Sequence, residues 1–360
     1  MKVLVTGGAG YIGSILVRSL LEADHDVTVV DRLSFGDEPL RELDGRPGYR
    51  LVAGDIRDRD MIDALLRDRD AIVHLAAIVG EAACAAEPKL AIETNFEATR
   101  YLAESSAAAG ISRFVFASTC SVYGTGLAGR LSEESELVPS ELYAESRVNA
   151  ELALARIAGP RFRPTVLRFG TVYGYSPRTR FDLVVNLLTA RALRDRAVFI
   201  FGGEQWRPFV HVADVARALQ SSLEADLDRV GGQTLNVGDN RENYQMKDLG
   251  PVLVREIPGT EVRIVPEILD KRSYHVVFDK IERLLGFHAS HGVAEGIREV
   301  RDAIRSGRIP DPSDRRLVNF ARPAPGDGKP ETPSGSPAAP GMPPPTSPAR
   351  SPRTTSGPIG

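Results

Sequence analysis

Tyr143 and Arg147, in the run "YAESR", stand four residues apart, the spacing at which two side chains share one face of a helix. A free tyrosine has a pKa of about 10, so it is a poor base near neutral pH. A unit positive charge about 5 Å away, at an effective dielectric of ~20, stabilises a phenolate by roughly 3 kcal/mol, or about two pKa units. Arginine supplies that charge and keeps its proton. Such a pair could take a proton from an alcohol. The same spacing also suits two ordinary surface residues, so the decision rests on what the chain sets beside them.

A second group of residues could hold a dinucleotide. Gly7, Gly10 and Gly13 follow the strand-like run "KVLVTG" and open the helix-like run "ILVRSLLEA". Missing β-carbons let the backbone turn tightly and approach a pyrophosphate, and the helix N-terminus offers free N–H groups at the positive end of its dipole. Gly8, Gly10 and Gly13 also satisfy G-x-G-x-x-G, a pattern that carries weight only between a strand and a helix. Asp31 ends the run "DVTVVD", 18 residues after Gly13. A carboxylate there accepts hydrogen bonds from both adenosine ribose hydroxyls and repels a 2′-phosphate, which favours NAD over NADP. The adjacent Arg32 pulls the other way, because an arginine can accommodate that phosphate.

These residues need a scaffold. The runs "KVLVTG", "DVTVVD", "YRLVAGD", "AIVHLAA" and "RFVFAST" each read as a strand, with helical stretches between most of them. That alternation predicts an α/β fold with a parallel sheet covered on both faces. The 360 residues, 42% of them hydrophobic, suffice for a substantial core. The net charge of −3 gives no basic bias toward nucleic acid or membrane surfaces, and no apolar run approaches the ~20 residues of a membrane span. The start "MKVLVTGGAG" leads directly into a strand and lacks a signal peptide's long apolar run. Cys84 and Cys120 form no CxxC pair and no metal-ligand set; a reduced, cytoplasmic setting and no metal are expected. The cations are mostly arginine, with only six lysines. From about Phe320 the chain is dominated by Pro, Gly, Ser and Thr, and a disordered tail over 320–360 is expected.

The chain resembles the extended short-chain dehydrogenase/reductases, the nucleotide-sugar epimerases and dehydratases, over residues 1 to about 310. The resemblance rests on "TGGAGYIGS", "GDIRD", "HLAA", "TNFEATRYL", "FASTCSVYG", "YAESR", "LRFGTVYG" and "GGEQWRPFVHVADVARA". It implies a Rossmann-like doubly wound sheet with a smaller C-terminal α+β substrate domain. The NAD-binding part is expected over 1–170, with a return segment near 208–224, and the substrate part over 171–319. The resemblance also implies cofactor contacts from Gly7, Gly10, Tyr11, Ile12, Gly13, Asp31 and Arg32, and an adenine-holding pair at Asp55 and Ile56. Leu75, Ala76 and Ala77 are implied to line the pyrophosphate and nicotinamide ribose, with Asn95 and Phe169 near the active site. Thr119, Tyr143 and Arg147 take the catalytic positions. Ser121, Thr171, Asn186, Arg207 and Arg272 take positions on the sugar-nucleotide side.

Arg147 departs from the pattern, which has lysine there. Three readings stay open: arginine does lysine's work, it has swung out, or the protein binds nucleotides without catalysis. In the first, Tyr143 takes the O4 proton of a sugar while hydride leaves C4 for NAD, and Thr119 hydrogen-bonds O4. A 4,6-dehydratase of the resembling family carries an Asp-Glu pair directly after the threonine; here Cys120 and Ser121 stand there. A 4-epimerase needs neither acid, so an NAD-dependent nucleotide-sugar 4-epimerase is expected. A ketoreductase, a dehydratase and a nucleotide sensor are the alternatives. His211 is expected to be a structural hydrogen-bonder. The resemblance further implies a homodimer through the helices near 96–109 and 143–158.

Overall fold

The computed structural model of the chain describes residues 1–125 and 129–319, so the tail expected from about Phe320 lies outside the described residues. Val3, Leu4 and Val5 are wholly buried, as an apolar run does when a parallel sheet is covered on both faces. They belong to β1 (Lys2–Thr6). β2 (Asp26–Asp31), β3 (Tyr49–Ala53), β4 (Ala71–His74), β5 (Arg113–Thr119) and β6 (Arg163–Phe169) follow. Thr234–Val237 adds β7. The sheet order is β7-β6-β5-β4-β1-β2-β3, and every neighbouring pair is parallel.

Successive residues of each strand feed opposite cores. Val3, Val5 and Val115 pack on one face with Leu16, Val17 and Leu20 of helix Gly13–Glu22 and with Val215, Leu219 and Leu223 of helix Val212–Glu224. Leu4, Phe114 and Phe116 pack on the other face with Leu102 of helix Ala98–Ala108 and Leu154 of helix Leu142–Ile157. Helix Val212–Glu224 is therefore a return of the chain to the sheet. β7 is a second return, which the sequence reading did not name. Its four residues, "TLNV", are too short a run to announce a strand, and pairing with β6 decides it.

The remaining elements build a smaller α+β body. Strand Trp206–His211 pairs parallel with Thr171–Tyr173 and antiparallel with Asn243–Gln245. Ala197–Phe201 pairs parallel with Glu261–Val265. Their core includes Tyr173, Val185, Leu188, Phe209, Leu253 and Ile297. Among the described residues no helix is long and apolar enough to cross a membrane.

In the large sheet the chain order reverses between β1 and β4. The C-terminal ends of the strands open there onto the crevice in which doubly wound folds hold ligands. Thr119 ends β5 and Phe169 ends β6, and the glycine run and Leu75 follow β1 and β4.

Candidate active site

The glycine turn is shaped by what lies against it. Gly7 has φ +73, and a β-carbon there would lie 2.7 Å from the Ala76 nitrogen. A β-carbon on Gly13 would lie 2.4 Å from the Gly7 carbonyl oxygen. Gly10 differs: its β-carbon would meet only the Gly7 oxygen, at 3.2 Å. Protein packing thus accounts for Gly7 and Gly13. Gly10 leaves room on the open side, where a phosphate can come close to the backbone. Helix Gly13–Glu22 starts from Ile12 with no side-chain cap and no acid in its first turn, which leaves its positive end available to an anion. Tyr11 is turned the other way. It is buried, and its hydroxyl donates to the Gly174 carbonyl at 2.8 Å.

Asp31 folds over this turn. Its Oδ2 accepts from Ala9 N at 3.0 Å and its Oδ1 from Leu33 N at 2.8 Å. Burial pushes its carboxyl up, against those two bonds. Arg32 points away to Asp55, with its Nε 3.5 Å from Asp55 Oδ2. Arg57 grips the same carboxylate, with Nη2 2.9 Å from Oδ2, and reaches Glu93 at 2.8 Å. Burial would raise the Asp55 carboxyl, but the bonds and charge of Arg57 and the charge of Arg32 outweigh it and hold it below the usual range. Arg32 thus lies beside the Asp55 carboxylate with its side chain partly exposed. Ile56 is buried in the core.

A chain of hydrogen bonds sets the segment after β4. Ala76 N donates to Thr6 Oγ1 at 3.1 Å, and Thr6 Oγ1 lies 2.6 Å from His74 Nδ1. His74 Nε2 lies 2.8 Å from Thr99 Oγ1, which donates to the Asn95 carbonyl. Because Thr99 spends its proton on Asn95, His74 carries its own on Nε2 and accepts at Nδ1. Burial, with the charge of Arg147, pushes His74 down to about 3, so the ring is neutral. Leu75, Ala76 and Ala77 are left half-buried beside the glycine turn. Asn95 sits on a π-helical turn, Glu93–Glu97, a distortion that recurs at functional sites. It is buried, accepts from Ile78 N at 2.8 Å and donates to the Ile78 carbonyl at 2.9 Å. It also reaches Ser146 Oγ at 3.3 Å. Asn95 thus ties this segment to the helix that carries Tyr143.

Tyr143 and Arg147 do share one face of helix Leu142–Ile157. The Arg147 guanidinium carbon lies 5.4 Å from the centre of the Tyr143 ring and 5.4 Å from that of Phe116. The side chain is buried, so it has not swung out to solvent. Its Nε is buried with no hydrogen-bond partner among the described residues. An unmet buried donor costs about 1–3 kcal/mol, and a ribose hydroxyl would relieve it. With the open side of Gly10 and the carboxylate of Asp31, that donor makes a site whose residues fit NAD.

Thr119 ends β5 half-exposed, its Oγ1 3.1 Å from Ser121 Oγ and 3.1 Å from Ser121 N. Ser121 is buried behind it. The Cys120 thiol is buried, lies 3.4 Å from the Arg168 carbonyl, and is pushed up by burial. Behind them Glu151 and Arg168 form a buried ion pair at 2.7 Å, and Ser118 donates to Glu151. That pair joins β6 to the Tyr143 helix, and the Ser118 bond ties β5 to both.

On the substrate side, Arg207 and Arg272 converge on Asp270, at 3.0 and 2.7 Å. Arg207 is buried and lies over the Tyr274 ring. Arg272 also reaches Glu81 at 3.5 Å. Asn186 is buried, accepting from Gly174 N at 3.0 Å and donating to the Arg180 carbonyl at 3.0 Å. Thr171 opens the strand Thr171–Tyr173, half-buried, and Phe169 is buried at the end of β6. His211 caps helix Val212–Glu224 by accepting from Ala213 N at 3.3 Å, and its Nε2 lies 2.7 Å from Glu299. Two further charged residues, not singled out by any motif, stand here. Glu81 accepts from Tyr143 N at 3.0 Å. Arg178 is buried over the Phe35 ring at 3.6 Å, with its Nε unpaired among the described residues. No spacing pattern links either to its neighbours. Only an acid at the head of a short helix, and the first of two arginines in "SPRTR", were there to see.

Known proteins resemble this chain in sequence and fold. A dTDP-glucose 4,6-dehydratase from an Actinoplanes species is 31% identical over 325 residues, covering 86% of this chain and 99% of that protein. The crystal structure of DesIV, a dTDP-glucose 4,6-dehydratase from Streptomyces venezuelae with NAD bound, superposes with a TM-score of 0.76 at 29% identity, covering 86% and 98% of the two chains. A UDP-glucose 4-epimerase from Thermotoga maritima, solved with UDP-glucose, gives 0.77 at 29% identity, covering 86% and 100%. The description of the NAD dependent epimerase/dehydratase family matches residues 3–238, from β1 through β7. The strand order, the glycine turn and the tyrosine helix all lie inside that match, and the chain belongs to the NAD dependent epimerase/dehydratase family.

Proposed function

We propose that this protein is an NAD-dependent epimerase of nucleotide-diphosphate sugars, acting at C4 through a 4-keto intermediate. The observation that carries this reading is the buried Arg147 guanidinium beside the Tyr143 ring. Bound NAD would supply the hydride acceptor and, later, the donor. Gly10, Asp31 and Arg147 are the residues that would hold it. Tyr143 accepts the O4 proton on oxidation and returns it on reduction of the other face. Thr119 Oγ1 holds O4 in place, and the Arg147 guanidinium lies beside the Tyr143 ring, where it faces the reacting hydroxyl's proton acceptor. Arg207 and Arg272 give the substrate side two cations for a diphosphate.

Dehydration is the second reading, and the names of the relatives favour it more than epimerisation. The site argues the other way at one point. Cys120, a buried thiol bonded to a carbonyl, and Ser121, tied to Thr119, are poor groups for expelling water. Incubation with UDP-, GDP-, dTDP-, CDP- and ADP-sugars, followed by NMR and mass measurement of the products, decides between them. An epimerase returns a sugar of unchanged mass with C4 inverted. A product lighter by one water replaces this reading with dehydration, and steady consumption of reduced cofactor replaces it with ketoreduction. We also infer a homodimer through helices Ala98–Ala108 and Leu142–Ile157, the second of which exposes Leu152; a monomeric mass in solution would contradict it.

A further inference from the structure

The helix that carries Tyr143 begins without a cap of its own. Glu141 stands at its N-cap, yet its side chain makes no capping bond. The first turn of any helix has N–H groups without intrahelical partners, and a carboxylate there satisfies one and meets the positive dipole end. At this helix the carboxylate comes from 62 residues earlier in the chain. Glu81 opens the short helix Glu81–Ala86, and its Oε2 accepts from Tyr143 N at 3.0 Å. Its other oxygen, Oε1, faces Arg272 Nη1 at 3.5 Å. Arg272 is in turn gripped by Asp270, which it shares with Arg207. A continuous line of charges therefore runs from the two substrate-side arginines to the backbone of the tyrosine.

We propose that Glu81 is a positioning residue: it fixes the first turn of the Tyr143 helix and, through Arg272, ties that turn to the arginines that would receive the substrate's diphosphate. The part played by Arg272 rests on the nucleotide-sugar reading above; the contact with Tyr143 does not. The carboxyl is poised to respond to pH. Burial, with the Glu141 carboxyl beside it, pushes Glu81 up to about 7, against the Arg272 charge and the Tyr143 N–H. Cys84, on its own helix, and Asp270, behind Arg272, are the other titratable groups near it. Ionised Glu81 accepts from both partners. Protonated, it loses its attraction for Arg272, so positioning weakens as pH falls through about 7.

The test uses the full chain and the variants Glu81→Ala and Glu81→Gln. Backbone hydrogen exchange over residues 141–147 is measured in protein without ligand. kcat and KM are measured against pH for whichever nucleotide sugar the wild type turns over. Glu81→Ala is expected to speed exchange roughly tenfold, as loss of one N-cap contact does, and to lower kcat about tenfold with KM held within about threefold, as misplacement of a reacting group does. Glu81→Gln keeps an oxygen for the Tyr143 N–H, so its exchange stays slow. Its kcat loses the acid limb near pH 7 and stays at the wild type's acid-side rate. Wild-type exchange in Glu81→Ala overturns the proposal, and so does a kcat–pH profile in Glu81→Gln that matches the wild type's. Should the wild type turn over no nucleotide sugar, the functional reading fails, and the exchange result alone decides for or against Glu81.

Discussion

A buried guanidinium with an unpaired Nε is an uncomfortable group in a protein interior. Its buried position against the Tyr143 ring does not fit the swung-out reading of Arg147. Asp31 is the other residue with a readable task. It holds the glycine turn through Ala9 and the following loop through Leu33, which leaves its carboxylate at the mouth of the site. Asp31→Ala is expected to weaken NAD binding by about tenfold to a hundredfold, the worth of hydrogen bonds to a charged group, and to narrow the preference for NAD over NADP. Calorimetric titration with both dinucleotides measures this. The sequence disclosed residue types and segments well, because motifs fix which stretch follows which strand. Direction was not legible. Tyr11, Asn95 and Asn186 lie in the expected stretches, yet all three are buried with their polar atoms spent on backbone groups. Spacing says where a side chain starts, and only packing says which way it turns.

At the scale of elements, the end of β6 and the tyrosine helix are joined by one buried ion pair, Glu151 with Arg168, to which Ser118 ties β5. Removing one partner of a buried pair leaves an uncompensated charge, a loss of about 3–5 kcal/mol. Glu151→Ala is therefore expected to destabilise the fold by roughly 3 kcal/mol or more, and urea denaturation measures it. A loss under about 1 kcal/mol would show that solvent reaches Arg168. The strands β1 to β5 were legible because each is an apolar run beside a helical one. β7 was not, since four residues carry too little pattern and the edge of β6 selects them. The glutamate that caps the tyrosine helix was equally hidden, because its partner lies 62 residues away.

Across the whole molecule, His74 couples folding to pH. It is neutral inside the fold, held down to about 3, with 6.5 as its ordinary value. Below pH 6.5 the unfolded chain binds a proton that the folded one refuses, so stability falls as pH drops from about 6.5 toward 3, by up to ~1.4 kcal/mol per pH unit. His74→Gln removes that dependence. Urea midpoints taken between pH 7 and pH 5 are expected to fall more steeply in the wild type than in the variant, and equal slopes would contradict the assignment. Glycine turn, tyrosine helix and arginine pair come from distant parts of the chain, and the parallel sheet brings the first two to one crevice. The central claim is that Tyr143, with Arg147 beside it, moves the proton of a sugar hydroxyl. It is tested most directly by following nicotinamide absorbance in a single turnover of the NAD-loaded enzyme mixed with its nucleotide sugar. The account predicts that wild type and Arg147→Lys reduce the cofactor at similar rates, that Arg147→Ala is slower by about tenfold or more, and that Tyr143→Phe is slower still. Cofactor reduction at the wild-type rate in Tyr143→Phe would contradict it.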